Sequence, residues 1–380
     1  MKRRQIITAI CLLSLLLISV GTIYLLKNRN SSTHAVRLGA ILPLTGSNAN
    51  YGEMMQRGIV VALDEYNAHR NYGPAIEVII EDSKSNPKDG VTAFQKLIQV
   101  DNTPAIMPVL SPVIVGCIPI AERNKIVILN CPANSPKLRG ASQYVFNLMI
   151  LADQDSHYLA DFAFNKLKAR RVGLFFVNND GGRGYRDAFE ARFKESGGNV
   201  VASEGHAQGS TEFRTTIEKF RAAKVDLVFM SSYYSESALF LKQCRELSYK
   251  TKWLSYASVD TPDFLKIADG AADGLIFSQP GFDTSSTNAE VSRFVKAYRI
   301  RYGQAPDLWG AQQYEGTMLL ASAVASGARS GEDIRKYLAS IHDYVGIFGK
   351  FSFAADGTVS RTVRFLIVRG NKFQEVDNGS

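Results

Sequence analysis

The fold is decided by the stretch Val36-Arg-Leu-Gly-Ala-Ile-Leu-Pro-Leu-Thr-Gly-Ser-Asn-Ala-Asn-Tyr51-Gly52-Glu-Met-Met-Gln-Arg-Gly58. Its apolar first part, Leu38 to Leu44, is typical of a parallel strand that is covered on both faces. A loop of small and polar residues follows, and apolar residues then recur at helical spacing from Met55 to Tyr66. Small molecules bind just past the ends of such strands, where the amides of helix N-termini point outward. The stretch therefore predicts a ligand-sized crevice at the carboxyl end of a strand.

The rest of the chain alternates between strand and helix signals. The alternation runs from Ala75 to Leu129 and starts again from Arg171 to Tyr256, which predicts parallel sheets with helices on both faces. The 380 residues are too many for a single hydrophobic core. We therefore expect an α/β protein of two doubly wound, Rossmann-like lobes with a ligand cleft between them.

The positive net charge of +8 is concentrated at the N-terminus. Five basic residues lie in the first thirty positions, which contain no Asp or Glu: Lys2, Arg3, Arg4, Lys27 and Arg29. Without them, 39 of the 44 basic residues remain against 36 acidic ones, a net charge of +3. A nucleic-acid-binding protein keeps its basic surplus in the folded domain. We therefore expect no nucleic-acid partner.

The N-terminal leader is apolar and long. An uncharged run from Ile6 to Leu26 has about 21 residues, enough to span a bilayer. No clean small-x-small cleavage site follows it, so residues 1–34 are either a cleaved signal peptide or an uncleaved anchor. The basic start should stay in the cytoplasm. Either interpretation places the remaining chain in the periplasm or on the outer face of the cytoplasmic membrane.

The cysteines and histidines indicate no metal site. Cys117, Cys131 and Cys244 follow the leader without a close pair, and the five histidines are scattered, so the spacing of metal ligands is absent. A disulfide between Cys117 and Cys131 and a set of buried free thiols are both open interpretations.

The sequence also lacks the marks of catalysis. Gly182-Arg-Gly184 matches part of a dinucleotide-binding fingerprint, but Asp187 stands where the third glycine belongs, and its carboxylate would repel a pyrophosphate. No G-x-S-x-G elbow, phosphate loop or H-E-x-x-H motif is present. We expect no enzymatic activity and no cofactor.

The segment Leu42-Pro-Leu-Thr-Gly46, with Tyr51-Gly52 and Gly58 after it, closely resembles the opening of the type I periplasmic binding proteins of the leucine/isoleucine/valine-binding family. The resemblance continues to about Arg369. It implies three chain crossings between the lobes, near Leu151, Gln279 and Val345. One lobe would then comprise residues 35–151 and 281–345, and the other 152–280 and 346–380.

The resemblance also implies where a ligand carboxylate is held. In the family, a serine after the third strand and a threonine after the fourth supply hydroxyls and amides. Ser111 stands at the serine position and Asn134 at the threonine position, with Ser135 beside it. Pro132, in the same loop after the fourth strand, departs from the small residue that is usual at this position in the family. The other interpretation of Ser111 is a cap for the helix that follows it.

Three aromatic residues match positions near the family's cleft: Tyr51, Tyr233 and Trp309. Such side chains enclose an apolar ligand body and offer a polar tip. The other interpretation is that they belong to the hydrophobic core.

Two positions depart from the family's pattern. Gly181 stands where an aromatic residue is common, and Ala257 stands where amino-acid binders carry a glutamate for the ligand's α-ammonium group. A desolvated ammonium without a carboxylate is costly. Either Asp180 or Asp260 replaces the glutamate, or both are helix caps and the ligand is not an ordinary α-amino acid.

The resemblance therefore predicts a solute-binding receptor of a branched-chain-amino-acid-type ABC importer. It would close on a small carboxylate-bearing ligand, an amino acid or a related organic acid or amide, and deliver it as a monomer to an ABC permease in the cytoplasmic membrane. The alternative is a membrane-tethered ligand sensor of the same fold that signals to a partner protein.

Overall fold

The computed structural model describes residues 35–70 and 73–376, which form two main β-sheets. The first sheet has five parallel strands in the order β2-β1-β3-β4-β5. Its strands are β1 (Val36–Leu42), β2 (Ile76–Asp82), β3 (Ala105–Pro108), β4 (Val127–Asn130) and β5 (Val145–Asn147).

The second sheet has seven strands in the order β14-β13-β10-β9-β8-β6-β7. The strands β6 to β10 are parallel to their neighbours, and β13 and β14 extend the sheet in antiparallel fashion. They are β6 (Arg171–Val177), β7 (Asn199–His206), β8 (Leu227–Ser231), β9 (Lys252–Ser255), β10 (Ile276–Pro280), β13 (Val363–Arg369) and β14 (Lys372–Glu375). A separate antiparallel pair is formed by β11 (Tyr344–Gly346) and β12 (Gly349–Phe351).

Helices connect the strands and cover the sheets. They are α1 (Ala49–His69), α2 (Pro87–Gln99), α3 (Ser111–Asn124), α4 (Ala152–Asn165), α5 (Asp180–Glu195), α6 (Arg214–Ala222), α7 (Tyr234–Glu246), α8 (Pro262–Ala268), α9 (Ala289–Tyr302), α10 (Leu308–Ala325) and α11 (Gly331–Ala339). The architecture confirms the predicted α/β fold with two doubly wound sheets.

The helices α1 and α10 pack with their backbones nearly in contact. A Cβ atom on Gly58 would lie 1.9 Å from the carbonyl oxygen of Gly310, so neither backbone leaves space for a side chain at Gly58. Most of α10 is buried, which explains why its apolar residues are spread around the whole helix. This contact fixes the start of α10, with Trp309, beside the start of α1, with Tyr51.

The sequence assigns residues 346–361 to the second lobe, but they lie against the first sheet. The amide of Asn147 donates to the carbonyl of Gly357 at 2.7 Å, and the rings of Phe353 and Phe146 have centroids 5.1 Å apart. The chain then joins the second sheet through β13. We therefore propose that the third crossing lies near Arg361 instead of Val345, while the other lobe boundaries stay predictions.

The structure also bears on the leader and the cysteines. Within residues 35–70 and 73–376, no helix combines the length and the apolar composition needed to cross a bilayer; the predicted leader, residues 1–34, lies outside this part of the chain. Cys117, Cys131 and Cys244 are buried free thiols, which contradicts the disulfide alternative. Burial raises the pKa of Cys117 to about 12.

Candidate functional site

A cavity lies between the carboxyl ends of the two sheets, with about 470 Å³ of empty space that includes space open to solvent. The loops that follow β1, β3 and β4 line it from one side, and the loops that follow β6, β8 and β9 line it from the other. This position is the usual ligand site of open α/β sheets.

Seven of the nine residues predicted for the site line this one cavity. They are Tyr51, Ser111, Pro132, Asn134, Gly181, Tyr233 and Trp309. They come from six separate loops or helix starts. Six of the seven follow strands whose carboxyl ends face the cleft, and Trp309 opens α10, which packs against α1. Contact of these side chains with a ligand stays a prediction.

Ser111 does not cap α3, so that interpretation was wrong. Its Oγ accepts a hydrogen bond from the backbone amide of Ser135 at 3.2 Å, which ties the loop after β3 to the loop after β4. The residue before it, Leu110, has φ +73°, a conformation that costs a non-glycine residue about 1–3 kcal/mol and that clusters at functional sites. No described residue accepts the hydroxyl hydrogen of Ser111, so this hydrogen is available to a ligand.

Gly181 leaves space beside this serine. A Cβ atom there would lie 3.1 Å from Ser111 Oγ and 3.3 Å from Asn134 Oδ1. Any larger side chain at this position would extend into the space between Ser111 and Asn134. Gly181 stands in the first turn of α5, and Ser111 opens α3. Because N-terminal helix amides lack intrahelical acceptors, this end of the cavity favours ligand oxygens.

A buried hydrogen-bond chain holds the side chain of Asn134. Its Nδ2 donates to the hydroxyl of Tyr185 at 3.3 Å, and that hydroxyl donates to Asp155 Oδ2 at 2.7 Å. Ser278 Oγ donates to the same carboxylate oxygen at 2.8 Å. Burial raises the pKa of Asp155 to about 6, although the two hydroxyl donors oppose the shift.

The opposite wall of the cavity is aromatic. The rings of Tyr51 and Trp309 have centroids 4.4 Å apart, and Tyr233 lies 6.4 Å from Tyr51. All three are buried. Trp309 Nε1 is buried without a hydrogen-bond partner among the described residues, so this donor is available to a ligand.

Direct hydrogen bonds join the two lobes across the cavity. The hydroxyl of Tyr51 donates to the carbonyl of Ser258 at 2.7 Å. At the rim, Asn50 Nδ2 donates to Asp263 Oδ2 at 2.6 Å, and Lys137 Nζ lies 2.6 Å from Asp180 Oδ1. The cleft is therefore closed.

Two of the predicted residues do not line the cavity. The hydroxyl of Ser135 accepts from the amide of Lys137 at 3.3 Å and caps a short 3-10 turn, Pro136–Leu138. Ala257 opens another 3-10 turn, Ala257–Val259, and the residues on either side of it, Tyr256 and Ser258, reach the cavity instead.

Neither Asp180 nor Asp260 replaces the missing glutamate, and neither caps a helix. Asp180 pairs with Lys137 at the rim, and the cap of α5 is Asn179. Asp260 accepts from Gln279 Nε2, and the cap of α8 is Thr261. Burial raises the pKa of Asp260 to about 6. Both carboxylates lie outside the cavity.

The cavity is uncharged within the described part of the chain. None of the sixteen residues that line it is an Asp, Glu, Lys, Arg or His. A buried ammonium group would find no carboxylate there, which costs several kcal/mol. The geometry therefore suits a small ligand with an apolar body. The polar end of this ligand would lie between α3 and α5 and would carry no ammonium group.

The sequence reasoning missed three polar lining residues: Asn179, Tyr256 and Ser258. Asn179 was detectable as a polar residue just after the strand that ends at Val177. Its Nδ2 donates to the hydroxyl of Tyr233 at 3.0 Å, which leaves the hydrogen of that hydroxyl free. Tyr256 and Ser258 flank Ala257 and were detectable only as its neighbours.

Comparisons with known proteins agree with this geometry. Residues 35–372 match the family model described as periplasmic binding protein. The chain is 26% identical over 313 residues to the Leu/Ile/Val-binding protein BraC3 of Rhizobium johnstonii, covering 79% of this chain and 84% of that protein. The relatives are binding proteins, which supports the prediction that the chain is not an enzyme.

Solved structures share the fold. The branched-chain amino acid transporter substrate binding protein LivJ from Streptococcus pneumoniae, in complex with isoleucine, is 25% identical, with a TM-score of 0.83 over 90% of this chain and 98% of that one. An ABC transporter solute binding protein from R. palustris, in complex with benzoate, is 20% identical, with a TM-score of 0.82 over 90% and 95% of the two chains. At that identity the second match supports the fold alone.

Proposed function

The chain belongs to the periplasmic binding protein family, and from this premise we propose that it is the extracytoplasmic solute receptor of an ABC importer. It closes on a small organic ligand and delivers that ligand to a permease in the cytoplasmic membrane. The observation that carries the proposal is the cavity itself, which both lobes line and which hydrogen bonds across the cleft close. Hinge closure around a ligand is the usual motion of such receptors.

The names of similar proteins leave the ligand open. LivJ from Streptococcus pneumoniae holds isoleucine, and the R. palustris protein holds benzoate. An amino acid and an aromatic acid therefore fit the same fold, so the lining residues must decide between ligand classes. In this chain, the uncharged lining and Ala257 argue against a ligand with an α-ammonium group.

We propose that the receptor acts as a monomer. The large apolar side chains that are exposed among the described residues are Val100, Tyr158, Ile300 and Val345. They are few and lie on four different elements, α2 and its end, α4, α9 and β11, which supports the monomer because a stable dimer covers a large apolar patch.

The two tryptophans of the chain provide a test. Trp309 lies in the cavity, whereas Trp253 packs on Phe240 and Tyr249 outside it. The purified protein should be screened by thermal shift against amino acids, aromatic and aliphatic acids, and amides. A ligand at one hundred times its dissociation constant stabilises the folded state by about 2.7 kcal/mol.

The single-tryptophan variants locate the binding. A compound that raises the melting temperature should change the fluorescence emission of the Trp253→Phe variant, which retains Trp309. The same compound should leave the emission of the Trp309→Phe variant, which retains Trp253, unchanged. A stabilising compound that leaves the emission of Trp253→Phe unchanged would bind elsewhere and contradict the assignment of the site. The absence of stabilisation by any class would contradict the proposed function.

A further inference from the structure

The orientation of the Asn134 amide decides which ligand end the cavity accepts. Its Nδ2 is the atom that faces Tyr185, so its Oδ1 is the atom that faces Gly181 and the cavity. The Asn134 carbonyl also accepts the amide of Ala152 at 2.7 Å, which holds the backbone of this residue in place.

The hydrogens on the buried chain allow no other arrangement at neutral pH. Above a pKa of about 6, the Asp155 carboxyl is ionised and only accepts hydrogen bonds. The phenol of Tyr185 has a single hydrogen, and it is donated to Asp155. Tyr185 must therefore accept from Asn134, and only the Nδ2 group of that side chain can donate. Asn134 consequently presents an acceptor to the ligand, where a hydroxyl-bearing residue would present a donor.

The hydroxyl of Ser111, beside Asn134 at this end of the cavity, is a donor. The hydroxyl of Ser111 accepts from Ser135 and retains its hydrogen, and both Ser111 Oγ and Asn134 Oδ1 lie within 3.3 Å of a Cβ position on Gly181. One donor and one acceptor thus stand side by side. A carboxylate would place an oxygen against Asn134 Oδ1 with no hydrogen between the two, whereas a carboxamide offers an oxygen to Ser111 and an N–H to Asn134.

We infer that the ligand of this receptor is a small carboxamide with an apolar body, which Tyr51 and Trp309 enclose, and not a carboxylate or an α-amino acid. This inference rests on the proposed function. An α-ammonium group would meet the neutral Asn134 oxygen but no carboxylate, because the lining contains none. Tyr185 acts as a positioning residue, since it does not line the cavity and only orients Asn134.

The test compares isosteric ligands with the purified full-length protein at pH 7.5. The probes are benzamide against benzoate, isovaleramide against isovalerate, and L-leucine, and titration calorimetry measures each dissociation constant. We expect at least one amide to bind about tenfold or more tightly than its acid, the size of effect that an unpaired buried polar group produces. Leucine should bind more weakly than the preferred amide.

Two variants probe the orientation of Asn134. Asn134→Thr supplies a hydroxyl donor and should shift the preference about tenfold toward the acid. Tyr185→Phe retains the ring that packs on Tyr256 with centroids 4.2 Å apart but frees the Asn134 amide to rotate, so the ratio of amide to acid affinity should fall. Tyr144→Phe, whose hydroxyl bonds to Glu332 away from the cavity, is the matched control and should retain the wild-type ratio.

The outcomes separate this inference from the proposed function. Tighter binding of an acid or of leucine by the wild-type protein would overturn the carboxamide assignment while the receptor function stands. An unchanged ratio in folded Asn134→Thr would also overturn it, with circular dichroism as the test of folding. If no probe of any class binds, both proposals fail.

Discussion

Replacing Arg361 by Met should destabilise the protein because it breaks a buried ion pair. Arg361 Nη2 lies 2.6 Å from Glu315 Oε2, and the two side chains are 1% and 2% exposed. The guanidinium also donates from Nε to the carbonyl of Leu148 at 3.2 Å and lies 4.2 Å from the centroid of the Phe351 ring. It therefore links α10, the end of β5 and the β11-β12 pair.

The magnitude follows from what the substitution leaves behind. Burial raises the pKa of Glu315 and lowers the pKa of Arg361, and in each case the partner's charge opposes the shift. Without Arg361, the Glu315 carboxylate would retain only backbone donors such as the amide of Phe348 at 3.3 Å. Removal of one partner from a buried pair costs about 3–5 kcal/mol. We expect a loss of about 4 kcal/mol in the free energy of unfolding.

Urea unfolding followed by circular dichroism measures this loss, and the melting temperature should fall by about 8 °C, at about 2 °C for each kcal/mol. Arg214→Met is the control because its pair with Glu246 is exposed, and it should cost less than about 1 kcal/mol. The double variant Glu315→Leu/Arg361→Met should be more stable than Arg361→Met because no charge stays unpaired. A loss below about 1 kcal/mol for Arg361→Met would refute the reasoning.

Three further substitutions test the closed cleft, the buried carboxylate and the helix contact. Tyr51→Phe removes the hydrogen bond to Ser258 across the cleft. Calorimetry should therefore show about fivefold weaker binding of a cavity ligand, which corresponds to a loss of about 1 kcal/mol. Unchanged affinity would contradict the stabilisation of the closed cleft by the Tyr51 hydroxyl. The Asp155 carboxyl should contribute a rise in melting temperature as the pH falls from 7 toward 4, because its pKa is raised to about 6 and the folded state binds its proton more tightly than the unfolded state. Asp155→Asn should show a smaller rise, and an identical pH profile would argue against this titration. Gly58→Ala, whose Cβ would lie 1.9 Å from a Gly310 atom, should lower the free energy of unfolding by about 3 kcal/mol. The control Gly281→Ala, whose Cβ would have its nearest neighbour at 3.4 Å, should be tolerated. Equal melting temperatures for the two variants would contradict the close packing of α1 on α10.

The sequence alone determined the fold class and the position of the cavity. Apolar runs that alternate with helical periodicity specify a parallel sheet, and the residues after its strands converge at one edge whatever their separation along the chain. Within that frame, the resemblance to the leucine/isoleucine/valine-binding family assigned Tyr51, Ser111, Gly181 and Tyr233 to one cavity before any contact was known. The same resemblance, with Ala257 at the family's glutamate position, predicted a changed ligand preference.

Only the tertiary structure decided the polarity of the cavity. Asn134 presents an acceptor because Tyr185, fifty-one positions further along the chain, takes its Nδ2 group, and no local pattern contains that pairing. The same holds for Asp180, which Lys137 draws to the rim, and for Asp260, which Gln279 holds outside the cavity. Side-chain hydrogen bonds form with whatever group the packed lobes bring within about 3 Å, so their direction depends on the assembled fold and not on the periodicity that builds it.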